Sequence, residues 1–320
     1  MLLFAQLLTA QEDGGPGRTA YRRTVERVRS AQRVGIDALL IGDRQAAGPA
    51  GIGEFEAGTL AAALAVATDG IGIVTTLSTG QLEPYHVARL LATVDYLSGG
   101  WAGWQPAAPS DDHETANYGP GQPGSPARQL GRTEEFTHVL TGLWDSFQDD
   151  AFLRDRESGV YFLPDRLQAL DHKGEHFDVA GPLNIARPPQ GHPVLVHRLL
   201  TVEDAEFAGR AADVAVLPAE RGTEAAEMSK TVRAAAGRHG RAETDVRFVL
   251  EVPADGPDEL FRTDIADGFV LLAPRGPADA AHSAVLERAT ALRGGAVQPA
   301  DGSLRDRLGL LRPPGRRKAA

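Results

Sequence analysis

Polar side chains follow several short apolar segments of this 320-residue chain, at the points where the chain leaves a predicted strand. The positions concerned are Asp43-Arg44, Thr76-Leu77-Ser78-Thr79, Gln105, His197-Arg198 and Pro218-Ala219. Oxygen and nitrogen donors dominate this set, no pair of carboxylates is clustered in it, and the chain contains no cysteine. Such donors suit hydrogen bonding to a polar heterocycle and a phosphate better than metal-dependent hydrolysis or thiolate chemistry.

The elements that must position these donors alternate regularly along the chain. Apolar periodicity predicts strands at 2–8, 37–42, 71–76, 101–105, 194–197, 213–217, 246–252 and 268–272. Helices are predicted at 19–34, 55–68, 85–97, 132–147, 202–212, 223–236 and 278–292. This order indicates an α/β fold, a (β/α)8 TIM barrel, with an open doubly wound sheet as the alternative. The connection 253–267, between the seventh and eighth strands, is too short to hold a long helix with its loops.

The chain is expected to form a single domain over 1–320 with two loop insertions, at about 106–130 and about 149–193. The first insertion is rich in Pro, Gly, Asp and Ser, which is typical of a long loop, and in a barrel such a loop can close over the site. A basic run near the C-terminus is interpreted as a solvated tail, flexible over about 312–320. It comprises Arg305, Arg307, Arg312, Arg316, Arg317 and Lys318.

Composition argues against several classes of function. The formal net charge of −10 argues against a nucleic-acid-binding protein, whose affinity rests on basic residues that neutralise phosphates. No apolar run approaches the roughly 20 residues that span a bilayer, and the N-terminal segment lacks the basic start of a secretory signal. We therefore expect a cytoplasmic protein that binds neither nucleic acid nor membranes. Without cysteine, any redox chemistry must belong to a bound cofactor.

Three other patterns carry little weight. The segment 119–124 fits G-x-G-x-x-G, but it neither follows a predicted strand nor opens a helix. His172 and His176 are four residues apart, but the glycine between them would break the helix that aligns a zinc pair, so no metal site is predicted. Trp101 and Trp104 could stack on a ring, although for at least one of them a buried position in the strand is favoured.

Several stretches together resemble the nitrilotriacetate-monooxygenase branch of the luciferase-like flavin monooxygenase superfamily. They occur in order at 55–79, 83–104, 113–119, 134–147, 176–193 and 303–313. The most specific are L-W-D-S-F-Q-D-D-A-F-L-R-D-R and H-F-D-V-A-G-P-L-N-I-A-R-P-P-Q-G-H-P. Within this branch the chain resembles the smaller member of a two-subunit enzyme that introduces a double bond into a proline-derived ring of a streptogramin antibiotic.

The resemblance implies a cofactor, partners and site residues. It implies reduced FMN supplied by a separate flavin reductase, O2, a small organic or natural-product substrate, and pairing with a larger homologous subunit or with a second copy. The candidates for the flavin ring are Thr76, Ser78, Gln105, His113 and Tyr118, those for the phosphate are Arg198 and Thr201, and His197 is the remaining cofactor-binding candidate. No catalytic acid or base is assigned.

The chain departs from the family pattern where the flavin is expected. Trp101 and Gln105 replace an Arg and an Asn, and 197–201 replaces a Q-A-G-S-S-type phosphate loop. The Arg-Tyr pair that opens the fourth helix and the large insertion before the eighth strand are both absent. These departures predict weak FMN binding by this chain alone, and they leave open a non-catalytic, stabilising subunit that has lost its flavin site. An F420-dependent oxidoreductase, which uses the same barrel, is a lesser alternative.

The resemblance also implies an assembly surface, since luciferase-like barrels pair through helices in the N-terminal half. The helices predicted at 54–67 and 85–98 are the candidates here. Their small side chains would allow a second chain to approach closely, but they could equally pack these helices onto the barrel. They are Ala57, Ala61, Ala62, Ala65 and Ala88.

Overall fold

Eight parallel strands form a closed barrel. The structure is a computed structural model that describes residues 1–8, 17–43, 45–46, 55–107, 114, 116–117, 125–294 and 301–315. Its barrel strands are β1 (Leu2–Gln6), β2 (Ala38–Ile41), β3 (Gly72–Ser78), β4 (Ala102–Ala107), β5 (Val194–Arg198), β6 (Val214–Leu217), β7 (Arg247–Pro253) and β8 (Gly268–Leu272). Neighbours in the barrel follow chain order, and β8 closes on β1. The predicted (β/α)8 barrel is confirmed, and the doubly wound alternative is wrong.

Helices surround this barrel. They are α1 (Gly17–Arg33), α2 (Ala57–Ala65), α3 (Pro84–Leu97), α4 (Pro126–Trp144), α5 (Val202–Ala211), α6 (Ala225–Arg238), α7 (Ala278–Arg293) and α8 (Leu304–Leu308). The first seven correspond to predicted helices. Helix α4 begins at 126 rather than 132, because the Ser125 side chain accepts a hydrogen bond from the Arg128 amide and caps the helix earlier. Between β7 and β8 only a short 3-10 turn (Asp258–Leu260) occurs, so the predicted lack of a long helix is confirmed.

Alternate residues of each strand point into the barrel. The interior is filled by residues such as Phe4, Val74, Val196 and Val249, whereas their neighbours in sequence pack outward against the helices. Because side chains alternate with a period of two, the inward-facing residues continue to the end of each strand. The opening of the barrel at the C-terminal ends of its strands is called the mouth. The alternation of side chains decides which polar residues at the strand ends can face it.

The C-terminal segment closes the opposite, N-terminal end of the barrel. Leu304, Leu308 and Leu310 are buried against the interior apolar residues. The Arg305 guanidinium forms two hydrogen bonds with Asp213, of 2.9 and 2.7 Å, and Arg307 lies 2.6 Å from Asp37. The interpretation of the basic run as a solvated tail is therefore wrong at Arg305, which is buried.

The two tryptophans lie away from the mouth, and the inserted segment packs against helix α4. Trp101 precedes β4 and is buried at the N-terminal end of the barrel, and Trp104 packs outward against Phe136. In the insertion, His172 lies 3.0 Å from Glu135 and belongs to a two-stranded ribbon. Within the described ranges, no helix is both long and apolar enough to cross a membrane.

Candidate functional site

The predicted polar residues converge at the C-terminal end of the barrel. Asp43, Thr76, Gln105 and His197, all predicted to follow or end strands, lie at or just beyond the C-terminal ends of parallel strands and therefore at one end of the barrel. Thr76 and Gln105 are register partners on β3 and β4. Strand parity directs both of them, together with Ser78, into the barrel mouth.

Buried polar atoms beside these residues have no partner among the described residues. They include the Ser78 hydroxyl and both side-chain amide atoms of Gln81, just after β3, as well as Gln45 Oε1 and His197 Nδ1. An unpaired buried donor or acceptor costs about 1–3 kcal/mol, so such atoms indicate where a ligand or water binds. Sequence analysis missed Gln81 because it follows the strand by three residues. An amide side chain in the turn directly after the strand was the available signal.

Asp43 was predicted at the end of β2, but the approach of two further carboxylates, Glu56 and Glu114, was missed. The side-chain amide of Gln45 donates to Asp43 Oδ2 at 3.1 Å, and the backbone amide of Gln45 donates to Glu114 Oε1 at 3.2 Å. Burial raises the pKa of Asp43, and the nearby charges of Glu56 and Glu114 act in the same direction. Asp43 therefore holds a proton at a higher pH than an exposed aspartate does, which suits a group that exchanges protons or hydrogen bonds with a ligand.

Arg198, predicted to bind phosphate, is already engaged. Its Nε and NH2 groups donate to the two carboxylate oxygens of Glu251 at 3.0 and 2.8 Å. Glu220 lies 4.0 Å away on the β6–α6 connection. The hydrogen bonds from Arg198 to Glu251 raise the pKa of Arg198, so the guanidinium stays charged. The planar fork that would bind a phosphate thus holds an internal carboxylate.

Thr201 is also engaged, because it caps helix α5. The Asp204 carboxylate accepts hydrogen bonds from the Leu200 amide (3.1 Å), the Thr201 amide (2.8 Å) and the Thr201 hydroxyl (2.9 Å). His197 points outward, with its Nε2 2.9 Å from Asp204 and its ring edge-on to Phe207. Burial raises the pKa of Asp204, but the hydrogen bonds from His197 and Thr201 outweigh it and leave the pKa below its usual range.

FMN fits one side of this site and not the other. Thr76, Ser78 and Gln105, with Gln81, offer hydrogen-bonding groups for a flavin ring. The proposed phosphate side does not fit, because Arg198 and the loop amides at 200 and 201 are bound to Glu251 and Asp204. His113 and Tyr118 lie outside the described residues, as does most of the loop 106–130.

A cavity of about 330 Å³ opens between the β6–α6 connection and the β7–β8 connection. Its apolar lining includes Leu217, Pro218, Leu260 and Ile265, and Glu251 lines it on the mouth side. A 3-10 turn, rather than a long helix, follows β7 beside this cavity. Its volume is at the lower end of the range for small-ligand pockets. Among the described residues, no group of His and acidic side chains is placed to hold a metal ion.

Residues 2–255 match the family described as luciferase-like monooxygenase. The chain is 38% identical to one of the two subunits of pristinamycin IIA synthase from Streptomyces pristinaespiralis over 314 residues, which cover 97% of this chain and 96% of that one. The other subunit of the same synthase is 34% identical over 63% of this chain, and the match spans 43% of its length.

Nitrilotriacetate monooxygenase component A of Aminobacter aminovorans is 38% identical over 60% of this chain, and the match spans 42% of that protein. Among solved structures, EDTA monooxygenase from Chelativorans sp. BNC1 superposes with a TM-score of 0.81 at 23% identity, with 98% of each chain covered. The structural likeness supports the fold, and the nitrilotriacetate- and synthase-type relatives confirm the resemblance seen in the sequence.

Proposed function

The chain belongs to the luciferase-like monooxygenase family, and from this premise we propose that it is half of a two-subunit oxidoreductase. The enzyme would use reduced FMN from a separate reductase and O2 to oxidise a small organic substrate. The observation that carries the proposal is the match to one pristinamycin IIA synthase subunit over nearly the full length of both chains. Similarity to the other, longer subunit of that synthase supports a larger, homologous partner.

The residues at the mouth of the barrel support a flavin site that is shared between two chains. Ser78 and Gln81 carry unpaired polar atoms on the side proposed for the flavin ring, whereas Arg198 and Asp204 are hydrogen-bonded within the chain. A partner that binds the flavin phosphate would complete what this barrel lacks. Closure of the mouth would then exclude water from the reacting centre, which protects reactive oxygen intermediates from hydrolysis.

The substrate class follows from the same resemblance. Introduction of a double bond into a proline-derived ring is the reaction that it implies, and we propose a natural product with a comparable saturated ring as the substrate here. The 330 Å³ cavity beside Glu251 is large enough to receive part of such a molecule.

A reconstitution assay tests the proposal. A flavin reductase, FMN, O2 and the saturated-ring precursor of pristinamycin IIA are incubated with this chain, with its larger homologue, or with both, and products are identified by mass spectrometry. We expect a product two hydrogen atoms lighter than the precursor only when both chains are present. The same yield from either chain alone would contradict the two-subunit proposal.

A non-catalytic, stabilising subunit is the second candidate, and the internal ion pairs on the phosphate side favour it. Gln105→Ala in this chain alone, assayed in the reconstituted complex, separates the two. A reaction site in this barrel predicts a loss of turnover with assembly intact, whereas a stabilising role predicts unchanged turnover. An F420-dependent function has support from the fold only. The relatives named above are the two subunits of an antibiotic synthase and two monooxygenases.

A further inference from the structure

We infer that Asp204 and Glu251 are specificity-determining residues that exclude phosphate monoesters from the mouth of this barrel. The two carboxylates occupy the donors predicted for the phosphate, namely Arg198 and Thr201, together with the Leu200 amide. The mouth would accordingly accept an uncharged ligand, such as the dephosphorylated flavin riboflavin, about as readily as FMN. The inference deepens the proposed function, on which it rests, by assigning the phosphate of the flavin to the partner chain.

Glu251 removes the first donor set. It stands on β7 at an inward-facing position, with 11% of its side chain exposed, and it binds two donor groups of the Arg198 guanidinium. This two-point geometry is the one in which arginine binds phosphate. Glu220 approaches the same guanidinium from the neighbouring connection at 4.0 Å. A phosphate that approached Arg198 would meet two carboxylates rather than a free cation.

Asp204 removes the second donor set. The loop that leads into a helix N-terminus can bind an anion through its backbone amides, and here the amides of Leu200 and Thr201 directly precede α5. The Asp204 carboxylate accepts from both amides and from the Thr201 hydroxyl. His197 holds the other carboxylate oxygen from the outer face of β5. Asp204 cannot rotate away without leaving these donors unpaired.

The groups that the two carboxylates bind lie on one continuous piece of the rim, because Arg198 ends β5 and Leu200 and Thr201 directly precede α5. Arg221 also faces this loop, but it donates to the Leu199 carbonyl and pairs with Glu224. The described residues of the loop therefore present no uncompensated positive charge toward a phosphate. Repulsion from the fixed carboxylates acts against a dianion, together with the engagement of Arg198 and of the amides at 200 and 201.

Paired titrations of the full chain with FMN and riboflavin test the inference, with flavin fluorescence as the readout. The variants are Glu251→Gln, Asp204→Asn and the double variant, in which each amide keeps the shape and one acceptor oxygen of the carboxylate. The control is Glu206→Gln, which removes a charge from the surface of the same helix, where Glu206 pairs with Arg238. The measured quantity is the ratio of the two dissociation constants, so that changes in ring binding cancel.

We expect the wild-type chain and Glu206→Gln to bind the two flavins within about threefold of each other. The double variant should prefer FMN by about tenfold, which corresponds to about 1.4 kcal/mol, and each single variant should shift partway. If Asp204→Asn fails to fold, as judged by circular dichroism, Glu251→Gln alone still frees Arg198 and must shift the ratio.

Two results would overturn the inference. One is a wild-type chain that binds FMN at least tenfold more tightly than riboflavin. The other is a set of variants in which the affinity for FMN, relative to that for riboflavin, is no higher than in the wild type. Both results concern the isolated chain, so they are independent of the partner, and failure of the two chains to assemble would instead count against the proposed function.

Discussion

At the scale of single residues, the surroundings of two buried carboxylates shift their pKa values in opposite directions. Asp204 receives enough hydrogen bonds to remain ionised, whereas burial raises the pKa of Asp95 to about 6 despite hydrogen bonds from Gln190 and Ala102. Asp95 lies in the last turn of α3 and accepts from Gln190 through bonds of 3.1 and 2.6 Å. It therefore belongs to a structural network at the N-terminal end of the barrel, remote from the mouth.

Asp95 should make stability depend on pH in a defined direction. Its pKa is raised from 3.8 to about 6 in the folded chain, so the folded state binds the extra proton and stability falls as pH rises through that interval. The unfolding free energy of the wild type, relative to that of Asp95→Asn, should fall by roughly 3 kcal/mol between acidic and neutral pH. Urea denaturation across the interval measures it, and a pH-independent difference would contradict the raised pKa.

At the scale of elements, periodicity predicted the barrel strands and the first seven helices, but it did not predict which side chains of each strand point into the barrel. Both faces of each strand are apolar, so the sequence around Val194 and Val196 does not show that Arg198 points inward and His197 outward. Helix α8 was missed because its partners, Asp37 and Asp213, are distant in sequence. A local run of arginines looks the same whether it is solvated or paired with buried carboxylates.

Helix α8 should contribute substantially to stability. Leu304 is fully buried among the barrel-interior residues, so Leu304→Ala should cost about 2–5 kcal/mol of unfolding free energy. The matched control is Leu311→Ala, at a side chain that is 81% exposed in the same segment, and it should change stability by less than about 0.5 kcal/mol. Equal, small effects of both changes in urea denaturation would mean that the C-terminal segment does not close the barrel.

At the scale of the whole molecule, the structure narrows the predicted assembly surface. Ala57, Ala61, Ala65 and Ala88 are buried against the chain's own core, so the prediction that they pack the helices onto the barrel is the correct one for these four. Ala62 alone among the five is partly exposed. Larger apolar side chains extend this face of α2 and α3, since Val66 and Leu97 are exposed at or just beyond the helix ends.

An arginine at Ala62 should therefore weaken assembly. An obligate interface buries more than about 2,000 Å², and an unpaired charge within it is strongly unfavourable. Sedimentation velocity of Ala62→Arg with the larger homologue should show dissociation at concentrations where the wild-type pair is intact. Ala234→Arg, at an exposed alanine on α6, serves as the control and should assemble normally. Equal behaviour of the two variants would place the interface elsewhere.

At the scale of the assembly, we propose that this barrel works with a second chain that supplies the phosphate side of the flavin site. Native mass spectrometry of the chain alone and co-expressed with its larger homologue, each with and without FMN, tests it most directly. We expect a heterodimer that retains FMN, and an isolated chain whose FMN affinity is weaker than about 1 μM, or about −8 kcal/mol. An isolated chain that carries one tightly bound FMN and ignores the homologue would contradict the account.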